Sequence, residues 1–299
     1  MTEPVAGASA AGAGWRASPP PAVSDEDFLR FQALINREAG IWLSPVKKAL
    51  LQGRLSRRLR DLGVGSWSAY HQLVTEDGAE RTRMLDAITT NETHFFREAR
   101  HWELLADRIL PAWREQGEAG RRPRRLRAWS AACSTGEEPY SLAMLLLSAF
   151  PAGWELEVLA TDLSTRVLDR ARQAVWRLEK AAEIPPAYLE AFMLKGVGDQ
   201  AGTMKAGPEI RALVKYERRN LVDEAWPPGP PFDLVFCRNV LIYFDRVTKE
   251  RVVNRLLDVV QPDGYLFLGH AESLTGVTTR ARAVQPTVYA PRGAGSAGP

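Results

Sequence analysis

Two adjacent carboxylates, Glu137 and Glu138, follow the run of small residues Ser130-Ala-Ala-Cys-Ser-Thr-Gly136. Small side chains and a glycine at a strand-to-helix turn let a ligand approach the backbone and the helix N-terminus closely. Two acids would repel a phosphate there, so the turn suits a cationic or hydroxyl-rich ligand. A positively charged nucleoside meets that description, and S-adenosylmethionine, with its sulfonium and ammonium groups, is the obvious candidate. A third acid, Asp162, closes the strand-like run Glu155-Leu-Glu-Val-Leu-Ala-Thr161. An acid at the end of the second strand of a nucleotide-binding βαβ unit can accept hydrogen bonds from both ribose hydroxyls. Alone, such an Asp is more often a helix cap; beside the first turn, the ribose role becomes the better reading. The fingerprint of three spaced glycines that marks NAD sites is absent.

These residues need a scaffold, and the chain patterns one. From Leu126 onward strands alternate with helices, which indicates a parallel, three-layer α/β domain over 126–291. Leu126 to Ala132, Leu213 to Arg218, Phe232 to Cys237 and Tyr265 to Leu268 read as strands, and a helical run follows Asp162 through Trp176. Asp245 can cap a long helix running to Val260, and Pro286 to Ala290 can close the sheet as an antiparallel strand. Glycines punctuate residues 177–210, consistent with a small hairpin-rich insertion. Upstream, Phe28, Phe31, Leu34 and Ile35, then Leu51, Leu55 and Leu59, recur at helical spacing, giving a helical domain over 23–89. Residues 90–125 form a linker and a helix. Residues 1–22, rich in Ala, Gly and Pro, and residues 292–299 read as flexible tails.

The chain has 299 residues, 45% hydrophobic and 25% charged, with a net charge of only +3, so global electrostatics select no partner. Its two cysteines, Cys133 and Cys237, have no metal spacing and imply a reduced, cytoplasmic chain. No apolar run approaches the roughly 18 residues that span a bilayer, and no secretory signal is evident, so membrane insertion is not expected.

Four motifs, Thr90-Asn-Glu-Thr-His-Phe-Phe-Arg-Glu98, Ser130-Ala-Ala-Cys-Ser-Thr-Gly-Glu-Glu-Pro-Tyr-Ser141, Phe236-Cys-Arg-Asn-Val-Leu-Ile-Tyr-Phe244 and Gly269-His-Ala-Glu272, closely resemble the CheR-type chemotaxis receptor methyltransferases. The resemblance runs over residues 24–291 in the same order. It implies a SAM-dependent protein-glutamate O-methyltransferase acting on the cytoplasmic helical bundle of chemoreceptors, with S-adenosylhomocysteine as the second product. It also implies a helical N-terminal domain on a Rossmann-like SAM-binding domain that carries a small antiparallel β-subdomain. By motif, Asn91, Thr93 and Arg97 would contact the cofactor. Glu137, with Glu138 as its adjacent rival, would lie near the methionine or ribose end. Asp162 would take the ribose hydroxyls, Asn220 and Leu221 the adenine side, and Arg238 and Asn239 the surroundings of the transferable methyl. Tyr243 would face the reaction centre. The N-terminal extension and Ala271, where many members have a small polar residue, depart from the family pattern.

A carboxylate nucleophile is already ionised near neutral pH and needs no general base, only alignment and partial desolvation. Arg97 can offer a planar two-donor fork and Tyr243 one hydrogen bond to orient it; a salt bridge from Arg97 to Glu92 or Glu98 is the alternative. Phe95, Phe96, Trp129 and Tyr140 read as packing residues and Cys133 as inert. His94, His101 and His270 stand isolated without ligand spacing, so no metal site is expected, and His270 reads as a loop-orienting residue. Lys47, Arg54 and Arg58 recur at helical spacing away from the leucine stripe and could steer an acidic receptor helix. A nucleic-acid methyltransferase is the first rival, disfavoured because Cys237-Arg-Asn-Val stands where a Pro-Pro-aromatic turn is common. A non-catalytic SAM-binding module is the second. A monomer is the default.

Overall fold

The computed structural model describes residues 22–224, 226–227 and 229–292, so the expected tails lie almost wholly outside the described residues. Four helices open the chain: α1 (Asp25–Ala39), α2 (Lys48–Asp61), α3 (Trp67–Glu76) and α4 (Gly78–Ile88). Ser24 starts α1 by accepting the Asp27 N–H at 3.0 Å, the usual role of a serine N-cap. Phe31, Ile35, Leu51, Leu55, Leu59, Trp67, Tyr70 and Met84 are buried together in the core of this bundle, so the leucine stripe does face inward. Gly40 ends α1 at φ 69°, and a Cβ there would stand 2.6 Å from Val222 Cγ1. Only glycine combines that left-handed turn with so close an approach to the second domain.

A second helical stretch comprises α5 (Ala99–Leu104), a π turn (Leu105–Ile109) and α6 (Leu110–Glu118). Pro111 sits in the first turn of α6. Its missing N–H cannot complete an α-type ladder, which accounts for the widened turn just before it.

The α/β domain runs β1 (Arg125–Ala131), α7 (Glu137–Ala149), β2 (Glu155–Asp162) and α8 (Thr165–Gln173), then β3 (Val175–Arg177), α9 (Pro186–Phe192), β4 (Met193–Lys195) and β5 (Thr203–Ala206). It continues with α10 (Pro208–Leu213), β6 (Val214–Arg218), β7 (Phe232–Cys237), α11 (Arg246–Asp258), β8 (Val260–Leu268), β9 (Ala281–Gln285) and β10 (Val288–Pro291). Seven strands form one sheet in the order β6-β2-β1-β7-β8-β10-β9. The first five are mutually parallel and β10 runs antiparallel to both neighbours. All six residues of β7 are buried, as expected where helices cover both faces of a parallel sheet. Leu142, Leu146, Phe236 and Phe267 pack on one face; Trp129, Val235, Val252 and Leu266 pack on the other.

Three elements differ from the expectations. The helix after Asp162 stops at Gln173 rather than Trp176 because Ala174 turns left-handed at φ 54°. Trp176 instead sits on β3, edge-on to Phe95 and Tyr140. The separate antiparallel sheet β3-β5-β4 begins at Val175 and ends at Ala206, against an expected 177–210. Strand β9, mostly exposed, was not foreseen.

The two domains are tied directly. Ile41 bridges antiparallel to Phe244, Trp42 N–H donates to Tyr243 O at 2.7 Å, and Asn220 Nδ2 donates to Glu38 O at 2.6 Å. Thr165 Oγ1 donates to Asp86 Oδ2 at 3.0 Å. No helix among the described residues is long and apolar enough to cross a membrane.

Candidate active site

Strand order reverses between β1 and β7, and in open parallel sheets the crevice beyond the strand ends at that point is where ligands bind. A cleft of about 230 Å³ lies there. The α/β domain supplies Ser134, Glu138, Asp162, Asn220, Leu221, Arg238, Asn239 and Tyr243; the linker supplies Asn91, Thr93 and Arg97; the helical domain supplies Ile41, Lys47, Leu50 and Arg54. Thus the residues expected from sequence at the cofactor and reaction centre share one cavity, with a single exception among them, Glu137. Gly136 makes the turn from β1 into α7 at φ 96°, a conformation with little strain for glycine.

Of the two adjacent acids, Glu138 lines the cleft and Glu137, the first expectation, does not. Glu137 is 1% exposed, pairing with Lys180 Nζ at 2.6 Å and accepting from Thr135 Oγ1 at 2.6 Å. Glu138 faces the cleft, accepting from Ser130 Oγ at 2.7 Å and pairing with Arg238 Nη1 at 3.1 Å. Burial raises the Glu138 pKa, opposed by the Arg238 charge. Asp162 accepts the Ser134 N–H at 2.9 Å and the Ser164 N–H at 2.9 Å. Burial outweighs those donors and pushes its pKa up to about 6. The carboxylate therefore braces both turns, while the cap of α8 is Ser164, whose Oγ accepts the Val167 N–H at 3.4 Å.

Arg238 is buried between Glu98 (Nη2 to Oε2, 3.0 Å) and Glu138, and it also donates to Arg97 O. Asn239 adopts a left-handed φ of 60°. Its backbone and that of the next residues are held by Glu272, whose Oε2 accepts from Asn239 N–H (2.9 Å) and Gly269 N–H (2.7 Å). Glu272 Oε1 accepts from Val240 N–H (2.9 Å) and Ile242 N–H (3.3 Å). Glu272, which ends the Gly269-His-Ala-Glu motif, is 2% exposed, and its bracing role has no local signal in the sequence. Tyr243 closes a short 3-10 turn, Leu241–Tyr243, with Lys47 Nζ 5.7 Å from its ring centroid. Among the described residues Arg97 makes neither alternative salt bridge; there its guanidinium donates to the Glu92 carbonyl at 3.1 Å.

Two further expectations change. Lys47 and Arg54 line the cleft itself, Arg54 donating to Ile88 O and to Thr90 Oγ1 at 2.8 Å. Arg58 is not a docking residue on a free face, because it turns across the bundle and pairs with buried Glu80, which also accepts from Tyr70 Oη at 2.9 Å. His101 and His270 are not isolated: their ring centroids lie 5.8 Å apart, with Glu98 between them. Burial, then the Arg238 charge, lowers the His101 pKa to about 4. For Glu98, burial works upward but Arg238 and the His270 N–H prevail, so its pKa is lowered. Phe95, Trp129 and Tyr140 are buried packing residues, and burial raises the Cys133 thiol pKa well above its usual range.

The cavity suits S-adenosylmethionine on its donor set. Asp162 and Glu138 are carboxylates whose pKa values burial raises, so each gains from a hydroxyl or cationic partner. Each also keeps acceptor sites beyond the bonds already named. A doubly wound sheet with a hairpin-closed edge, an acid in the first turn of the helix after β1 and another at the end of β2 defines a SAM-dependent methyltransferase domain.

Comparison with known proteins narrows this class. Residues 91–290 match the family described as "CheR methyltransferase, SAM binding domain", and residues 26–89 match "CheR methyltransferase, all-alpha domain". Chemotaxis protein methyltransferase 2 of Pseudomonas aeruginosa is 40% identical over 267 residues, covering 89% of this chain and 93% of that protein. The chemotaxis protein methyltransferases of Salmonella typhimurium and Escherichia coli are each 38% identical over 274 residues, covering 90% of this chain and 91% and 92% of theirs. The chain belongs to the CheR methyltransferase family.

Proposed function

We propose that this enzyme, in the cytoplasm, transfers the methyl group of S-adenosylmethionine to glutamate carboxylates on the helical bundle of chemoreceptors, leaving glutamate methyl esters and S-adenosylhomocysteine. One observation carries the acceptor side of this reading. Lys47, Arg54 and Arg97 line the cleft, and none has an acidic side-chain partner among the described residues. Three cations without an acidic partner in a shared cavity select an anionic substrate, while buried Asp162 and Glu138 in the same lining select a cationic or hydroxyl-bearing donor.

When bound, S-adenosylmethionine supplies a methyl carbon on a positively charged sulfur, open to in-line displacement by oxygen. Arg97 and Tyr243 orient the acceptor carboxylate, Arg97 by its two-donor fork and Tyr243 by one hydrogen bond. No side chain has to remove a proton, since the acceptor is ionised at neutral pH. Asn239, fixed by Glu272, lines the methyl pocket, and Asn220 and Leu221 form the adenine end. Arg238 keeps Glu138 turned to the cleft while neutralising part of its charge.

Incubation with methyl-labelled S-adenosylmethionine and a receptor cytoplasmic fragment tests the proposal. Label released as methanol by mild base is the expected result. Label in nucleic acid, or cofactor binding without transfer to the receptor, would overturn it in favour of the two rival readings.

A further inference from the structure

Glu98, His101 and His270 meet behind the cleft wall, where the start of α5 abuts the end of β8. Their ligand atoms lie within 4.8 Å of one another. Glu98 Oε2 is 3.5 Å from His101 Nδ1 and 3.8 Å from His270 Nε2. On the far side of His101, Thr287 Oγ1 lies 2.7 Å from Pro286 O and 2.8 Å from His101 Nε2; a hydroxyl that donates to the carbonyl accepts from Nε2–H. In that tautomer Nδ1 of the neutral ring is a bare lone pair 3.5 Å from a carboxylate oxygen. His101 is 1% exposed, and its Nδ1 has no hydrogen-bond partner among the described residues. Acceptor facing acceptor in a buried site costs free energy unless a cation sits between them.

We propose that Glu98, His101 and His270 bind a divalent transition-metal ion, with zinc fitting best. Two imidazoles and one carboxylate are a donor set that zinc takes readily, leaving a fourth position for water. Ligands about 2.1 Å from a tetrahedral zinc stand about 3.4 Å apart, so the 3.5 and 3.8 Å separations from Glu98 need small movements, and the exposed His270 ring must swing to close the span of up to 4.8 Å within the set. The Thr287 hydroxyl on His101 Nε2–H is the outer partner that orients a ligating histidine. His270, its side chain 59% exposed, gives the ion a path from solvent. Arg238 Nη2 also lies 3.0 Å from Glu98 Oε2, so metal and guanidinium compete for one oxygen. Occupancy therefore loosens Arg238, which holds Glu138 at the cofactor, and the site acts as an inhibitory one.

The test uses the full chain, with cobalt(II) as a spectroscopic probe and zinc as its competitor, followed by zinc calorimetry. The wild type is expected to bind one ion per chain, with visible cobalt absorption that zinc displaces. His270→Ala removes an exposed ligand outside the cleft and should weaken binding by about tenfold or more, with an unchanged unfolding midpoint. Absence of saturable binding, or equal binding in the variant, overturns the site. Zinc should slow methyl transfer by the wild type, reversibly with chelator, and spare His270→Ala. Binding that leaves wild-type turnover untouched overturns the coupling through Arg238. Because binding is read without turnover, this result is independent of the acceptor assigned above.

Discussion

Asp162 offers a measurement in which protein stability and cofactor affinity move in opposite directions with pH. Burial places its pKa at about 6 in the ligand-free protein, above the roughly 3.9 of an unfolded aspartate. The folded state therefore binds more protons than the unfolded state between about pH 4 and pH 6. Stability from this group is greatest below that window, declines as pH rises through it, and levels off above it. At 1.36 kcal/mol per unit, the full decline is about 3 kcal/mol. Hydroxyl donors of a bound nucleoside need the ionised carboxylate, so below pH 6 binding must first expel the proton. At pH 5 about a tenth of the protein is competent, which predicts about tenfold weaker binding than at pH 7, or about 1.4 kcal/mol. Calorimetric titration with S-adenosylhomocysteine at pH 5, 6 and 7 reads the affinity, and urea unfolding over the same range reads the stability. Asp162→Asn should bind more weakly at pH 7 and lose this share of both slopes. Equal pH slopes in wild type and variant would refute the reasoning, because the titration would then belong to another group such as Glu138.

Three further perturbations separate the roles of neighbouring residues. Glu272→Gln leaves one oxygen to serve two of the four backbone N–H groups and turns a donor toward the other two. The expected loss is about 2–6 kcal/mol in urea unfolding, with reduced turnover as Asn239 loses its fixed turn; a loss below about 1 kcal/mol would show that the turn holds itself. Arg58→Ala strips buried Glu80 of its bidentate partner and should cost about 3 kcal/mol of stability. An unchanged midpoint with a raised receptor KM would instead return Arg58 to a docking role. Arg97→Ala should lower kcat/KM about 100-fold while shifting stability by less than about 0.5 kcal/mol, since among the described residues the guanidinium holds the Glu92 carbonyl alone. Near-normal turnover would remove Arg97 from the acceptor site.

What sequence made legible here is chemistry that sits at the end of a regular element. Asp162, Asn239 and Tyr243 follow strands whose apolar runs mark their own ends, so residue type and position point to the same cavity. Relations across the fold were not legible in the same way. Neighbouring helical residues differ in direction by about 100°, so Glu137 and Glu138 could not be separated along the chain. They are separated by Lys180, which lies 43 residues from Glu137 and claims its carboxylate. Arg58 falls on the polar face of α2, yet helical periodicity reports only which face a residue is on, not what stands across from it. Here the residue across is Glu80, a buried acid 22 residues away that only the packing of α4 against α2 brings within reach. The histidines make the same point for metals: ligand spacing rules detect pairs on one element, whereas His101 and His270 come from a helix and a strand end that meet only after the sheet has formed. Glu272 adds that a carboxylate can brace a site without lining it, because its four bonds all go to backbone N–H groups. Side chains that contact the cofactor are constrained by chemistry and leave a local pattern. Those that hold the contacting residues in place are constrained by geometry, and their pattern exists only in three dimensions.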